Sequence, residues 1–78
     1  MALKFEIKDR TVTITECDPK LTGDLIIPSA INNHPVTSID QGAFYGCTRL
    51  TSVTIPSSIT KIGGWAFPKH TVITRETV

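Results

Sequence analysis

Apolar side chains in this chain recur at every second position in short runs, and helical spacing is nearly absent. Lys4-Phe5-Glu6-Ile7-Lys8 and Thr11-Val12-Thr13-Ile14-Thr15 both alternate polar with apolar. Each predicts a half-buried strand, because successive side chains of a strand point to opposite faces. Asp9-Arg10 stands between the two runs, so an N-terminal β-hairpin follows. Asp18-Pro19-Lys20 and Thr22-Gly23-Asp24 carry turn chemistry. Leu25-Ile26-Ile27 predicts a third strand, ended by Pro28, which lacks the amide hydrogen a ladder needs. Asn32-Asn33-His34-Pro35 reads as a loop, residues 36–39 as a short extended segment and residues 41–45 as a tight helical or 3₁₀ turn. Ser52-Val53-Thr54-Ile55 is the next strand, ended by Pro56. Residues 59–62 are extended again, Gly63-Gly64 and Trp65-Ala66-Phe67 turn the chain, and Thr71-Val72-Ile73-Thr74 closes it.

The second half of this pattern repeats the first. Ile27-Pro28-Ser29, Val36-Thr37-Ser38-Ile39 and Ala43-Phe44 return as Ile55-Pro56-Ser57, Ile59-Thr60-Lys61-Ile62 and Ala66-Phe67. Ile39 and Ile62 are 23 residues apart, as are Phe44 and Phe67. A fixed period of this length predicts stacked coils, each covering the apolar side its neighbour cannot cover alone. Stacking would set Ile27 near Ile55, Val36 near Ile59, Ile39 near Ile62 and Phe44 near Phe67. Ile27 and Ile55 are 28 residues apart, so the first coil holds extra residues, placed at 32–35 as an inserted loop.

The run Leu50-x-x-Val53-x-Ile55-Pro56-Ser57-x-Ile59-Thr60-x-Ile62-Gly63-x-x-Ala66-Phe67 resembles the BspA-type leucine-rich repeat, also called the Treponema pallidum type. Phe44-Tyr45-Gly46-Cys47-Thr48-Arg49-Leu50 is similar to that family's Ala-Phe-x-x-Cys-x-x-Leu junction. The resemblance covers about residues 11–74. It implies a mainly β fold: a short right-handed leucine-rich-repeat solenoid with an N-terminal β-hairpin cap and short 3₁₀ or helical turns. Residues 1–78 would form one domain, with 1–24 the cap, 25–49 a first coil carrying the inserted loop, 50–71 a second coil and 72–78 a terminal strand. Family members are mostly long arrays on bacterial or protist surfaces, associated with adhesion and protein binding. The last coil has Pro68-Lys69-His70 where the Gly-Cys-x-x-Leu junction would stand.

Composition narrows the function classes. Formal charge is +1, from eight Lys and Arg against seven Asp and Glu, and no run of like charge exists. Neither nucleic acid nor an anionic membrane is expected as a partner. No apolar stretch approaches the ~20 residues of a membrane span. The N-terminus lacks the basic region and long apolar run of a signal peptide. The cytoplasm is the default expectation, with the cell surface or secretion if a leader has been removed. A chain this short buries only roughly 60% of its unfolded surface, so its core depends on covered ends.

The residues with chemical potential are sparse. Cys17 and Cys47 lack a Cys-x-x-Cys spacing, so no zinc site is expected. They precede strands by similar distances, which suggests equivalent positions on successive coils. Buried free thiols are expected there, with a disulfide left open. His34 and His70 read as solvated loop residues. No Ser/His/Asp set and no paired carboxylates are apparent, so neither enzymatic activity nor any cofactor is expected.

A non-enzymatic protein-interaction module is therefore expected, presenting a small rigid sheet face and associating with itself as a homo-oligomer. Thr13, Ile26, Ser52 and Thr54 should point outward side by side as that face. Trp65, which stands where the first coil has Gly42, either packs over the end of the stack or contacts another chain. Asn32, Asn33 and His34 are candidate loop contacts. The alternatives are a purely structural self-assembling repeat and a weak carbohydrate or cell-surface adhesion module. The last would need exposed aromatics, but the chain has only Phe5, Phe44, Phe67, Tyr45 and Trp65, and the Phe residues read as core.

Overall fold

Asp9 and Arg10 both adopt left-handed backbone angles, with φ of 52° and 64°. Two consecutive residues in that region form the two-residue turn whose twist matches a β-hairpin. In the computed structural model, which describes residues 3–76, they join β1 (Leu3–Lys8) to β2 (Thr11–Cys17) in antiparallel register. Residues 1, 2, 77 and 78, which the sequence assigns to the cap and the terminal strand, lie outside the described residues.

The same device appears at Asn32 and Asn33, with φ of 52° and 65°. It joins β4 (Ala30–Ile31) to β5 (His34–Ile39), pairing Ile31 with His34 and Ala30 with Pro35. The inserted residues are thus a second small hairpin rather than a loop. The Asn-Asn pair carries the cause, since Asn tolerates the left-handed region better than most residues. Pro35 costs the ladder nothing here: the Val36 N–H donates to the Ser29 carbonyl at 2.9 Å.

Four further strands complete the chain: β3 (Gly23–Ile26), β6 (Leu50–Ile55), β7 (Lys61–Ile62) and β8 (Val72–Arg75). Thr22-Gly23-Asp24 is not a turn; Gly23 and Asp24 open β3, with Gly23 at φ 74° beside a register shift. Two sheets result. In one, β2, β5 and β7 pair in parallel, and β1 lies along the outer edge of β2. In the other, β3, β6 and β8 pair in parallel. Each step from the first sheet to the second is one coil, so β2–β3, β5–β6 and β7–β8 stack as three coils. β2 therefore serves both the N-terminal hairpin and the stack.

A third line of contacts ties the turns together. The Phe44 N–H donates to the Ala66 carbonyl at 2.7 Å, and the Gly42 N–H to the Gly64 carbonyl at 3.2 Å. Residues 41–46, where a tight helical or 3₁₀ turn is expected over 41–45, form successive turns with three-residue bonds such as Ala43 N–H to the Asp40 carbonyl.

The core runs through the stack between the two sheets. Val12, Ile14, Val36, Ile39, Phe44, Leu50 and Val53 are all buried. Burial of each large apolar side chain stabilises the fold by about 1.5–3 kcal/mol. Phe44 and Phe67 stack with centroids 5.0 Å apart and planes 9° apart. The backbone approaches most closely at Gly63: a Cβ there would sit 2.6 Å from Gln41 Cα and 2.8 Å from Asp40 C. Gly63 also donates to the Ile39 carbonyl at 2.8 Å, so the coils cannot part locally without losing a bond. Gly64 has open space around its Cα.

Gly63→Ala is expected to destabilise the protein by about 1–3 kcal/mol through this clash. Gly64→Ala should change stability by less than about 0.5 kcal/mol. Chemical denaturation of the two variants checks the pair. Equal effects would mean that the close approach at Gly63 does not constrain the stack.

Candidate interaction surfaces

The face expected from sequence divides between the two sheets. Thr13 lies in β2, in the sheet with β5, and its hydroxyl is 2.7 Å from Ser38 Oγ. Ile26, Ser52 and Thr54 lie in the other sheet. Alternation in β2 gives an outward row but not the sheet that the row belongs to, and β2 pairs with β1 and β5. On the β3–β6–β8 face, Ile26, Thr54 and Thr74 form one row, and Asp24, Ser52 and Val72 form the next. Ser52 donates to the Asp24 carboxylate, as does Thr51 at 3.3 Å. Ile26 and Val72 are the apolar points of this face, 70% and 61% exposed.

Asn32, Asn33 and His34 belong to the second hairpin, at its turn and the start of β5. His34 is half-buried in a strand, not in a loop. His70 is exposed, with Nε2 2.7 Å from the Thr48 carbonyl.

Trp65 does not pack over the end of the stack. The residue is 65% exposed, and its ring meets Tyr45 edge to face, centroids 6.3 Å apart and planes at 89°. Its backbone is unusual for its size, with φ of 58°. The register explains this: the Gly42 N–H bond to Gly64 sets Trp65 beside Gly42, which has φ 69°. The turn demands a left-handed residue, and a residue with a Cβ costs roughly 1–2 kcal/mol there. Tyr45 and Trp65 both line two hollows. One, of 570 Å³, is lined by Gln41, Gly42, Tyr45 and Trp65. The other, of 290 Å³, is lined by Tyr45, Thr48, Trp65, Pro68, Lys69 and His70. Tyr45 was not singled out for this edge from sequence. It and Trp65 are 20 residues apart rather than 23, so the repeat does not align them.

Cys17 and Cys47 form a disulfide, with Cα atoms 6.5 Å apart across 30 residues of sequence. The expectation of free thiols fails because the two are not equivalent in the stack. The Cys17 N–H donates to the Ala43 carbonyl, which sets Cys17 beside Phe44 instead. Cys47 comes three residues later and reaches back across the coil boundary.

The apolar rows are more exposed in the C-terminal coil than in the coil before it. Ile14 pairs with Ile39 and Ile39 with Ile62, and their exposures are 0%, 2% and 41%. Val53 is fully buried, while its partner Ile73 is 41% exposed. Among the described residues, no group of three or more His, Cys, Asp and Glu could hold a metal ion. No helix there is long and apolar enough to cross a membrane.

These stacked, parallel coils with a 23-residue step are those of a leucine-rich repeat. The family model for the BspA type leucine rich repeat region, written for six copies, matches residues 23–77, and the chain belongs to that family. Two solved structures are similar. The leucine-rich repeat protein of T. pallidum is 32% identical with a TM-score of 0.78, over 85% of this chain and 31% of that one. A leucine-rich repeat protein from Bacteroides capillosus is 32% identical with a TM-score of 0.75, over 94% of this chain and 62% of that one. The chain thus spans about a third and about three-fifths of these two proteins. No curated protein matches the chain significantly. Membership suggests a repeat module for protein interaction, in a family whose members are typically non-enzymatic.

Removing the disulfide, by reductant or by replacing both cysteines with alanine, should cost about 3–4 kcal/mol from the loop it closes. Thermal unfolding with and without reductant measures the loss. Alkylation of both cysteines in the native, unreduced protein would contradict the bond.

Proposed function

We propose that this chain is an interaction module that associates with itself through its C-terminal coil and presents the β3–β6–β8 face to a protein partner. The observation that carries this reading is the exposure of Ile62 and Ile73, whose counterparts one coil earlier are buried. Among the described residues, both sit on strands paired along one edge only, and an exposed strand edge beside apolar side chains is a template for another strand. A second copy placed there would extend both sheets and cover both side chains.

The reading takes residues 1–78 as one domain, with the first hairpin acting as a cap over β2 and the terminal strand as the joining edge. The coils wind right-handed, as parallel crossovers within one sheet almost always do. The β3–β6–β8 face alone is smaller than the ~800 Å² per partner of a standard interface. Pairing two copies would lengthen it and bring two Ile26 side chains to one assembly. The disulfide favours an oxidising compartment, where such bonds persist. That fits a secreted or surface position better than the cytoplasm, and it leaves adhesion to a heterologous protein as the use of the assembled face.

Sedimentation velocity over a wide concentration range tests self-association. The wild type should form dimers or larger species. Ile73→Lys should shift the equilibrium at least about tenfold toward monomer, since each 1.4 kcal/mol of lost interface energy is a factor of ten. A monomer at all concentrations, or assembly indifferent to Ile73→Lys, would contradict the proposal.

A further inference from the structure

We infer that the Tyr45–Trp65 edge is a docking site for an extended, proline-rich segment of a partner protein with an acidic residue beside its prolines. This rests on the interaction module proposed above, names a partner class for it, and places the docking site in the turns between β5 and β6 and between β7 and β8 rather than on the β3–β6–β8 face.

Two observations point to a ligand. First, Trp65 occupies a left-handed backbone position where the preceding coil places Gly42. Strained residues of this kind cluster at functional sites, and packing does not account for this one, because the side chain is largely exposed. Second, the perpendicular aromatic pair lines two hollows at once. Grooves walled by aromatics are how prolyl segments are commonly held, because that conformation is already rigid and loses little entropy on binding.

The polar groups decide the ligand chemistry. A polyproline II segment makes no internal hydrogen bonds, so its carbonyls need donors. Among the lining residues, Tyr45 carries an O–H and Trp65 an N–H at both hollows, and Gln41 an amide N–H₂ at the larger. No Asp or Glu lines either hollow. A sugar would ask for charged carboxylate acceptors as well as donors, and this lining supplies none. Lys69 lines the smaller hollow with no carboxylate beside it in the lining, so it is placed to meet an acidic side chain next to the prolines.

Trp65 is the only tryptophan, so its fluorescence reports on this site alone. The probes are a synthetic decaproline peptide and the same peptide flanked by glutamates. The wild type should show a saturable spectral shift with both, and tighter binding to the acidic-flanked peptide at low salt. Lys69→Gln should erase that difference, and Tyr45→Ala should weaken binding at least about tenfold. Trp65→Gly should retain or raise the melting temperature, because glycine suits the left-handed turn. By NMR titration the same variant should lose the peptide. No saturable change at millimolar peptide, or binding unaffected by Tyr45→Ala, overturns the inference. So does saturable binding of cello- or chito-oligosaccharides in place of the peptides. Self-association lost with Ile73→Lys but no peptide binding would sink this inference alone.

Discussion

Everything in this molecule depends on like residues standing above like residues. The 23-residue step sets Ile39 beside Ile62 and Phe44 against Phe67, and the backbone bonds between coils hold that register. A parallel ladder supplies partners for the amides, while the rows of isoleucine and valine keep water out of it. Neither works alone: one coil has an uncovered apolar side, and an unfilled stack would leave its ladder wet. A side chain's burial is therefore set largely by its place in the stack. The row Ile14, Ile39 and Ile62 passes from fully buried to substantially exposed without any change of residue type.

That constraint also explains where the chain is free to vary. At Gly63 the coils approach so closely that no Cβ fits. Two residues on, the turn requires only a left-handed backbone and leaves the side chain outside the core. Glycine meets the requirement at Gly42, and the next coil meets it with tryptophan. A bulky residue at such a position gains nothing from the core, so its presence is a property of the surface. The disulfide has a similar logic. It joins one coil to the next at residues that the register keeps out of line, and so it resists sliding between coils.

Much of the fold could be read from the residues because the repeat is a covalent record of the stacking. Ile-Pro-Ser and Ala-Phe mark the same two points on successive coils, and alternation marks the strands between them. Three features were hidden, each for a physical reason. β2 lacks the Ile-Pro phrase, so its membership in the stack shows only when its partner β5 is in place. The Asn32-Asn33 turn looks like a loop because the two-residue β4 is too short for any periodicity. The aromatic edge and the disulfide pair residues from different points of the repeat, and a periodic reading aligns only equivalent points. Tyr45 with Trp65 and Cys17 with Cys47 are meetings across the period, made by three-dimensional closure of the coil.

The central claim is that burial along the stack, rather than local strand propensity, sets stability. Amide hydrogen exchange under native conditions tests it most directly, at concentrations low enough to keep the chain monomeric. Protection should be greatest in β5 and β6, which have a coil on each side, and least in β7 and β8, which pair on one side only among the described residues. Uniform protection in all three coils, or slower exchange in β8 than in β6, would contradict the account.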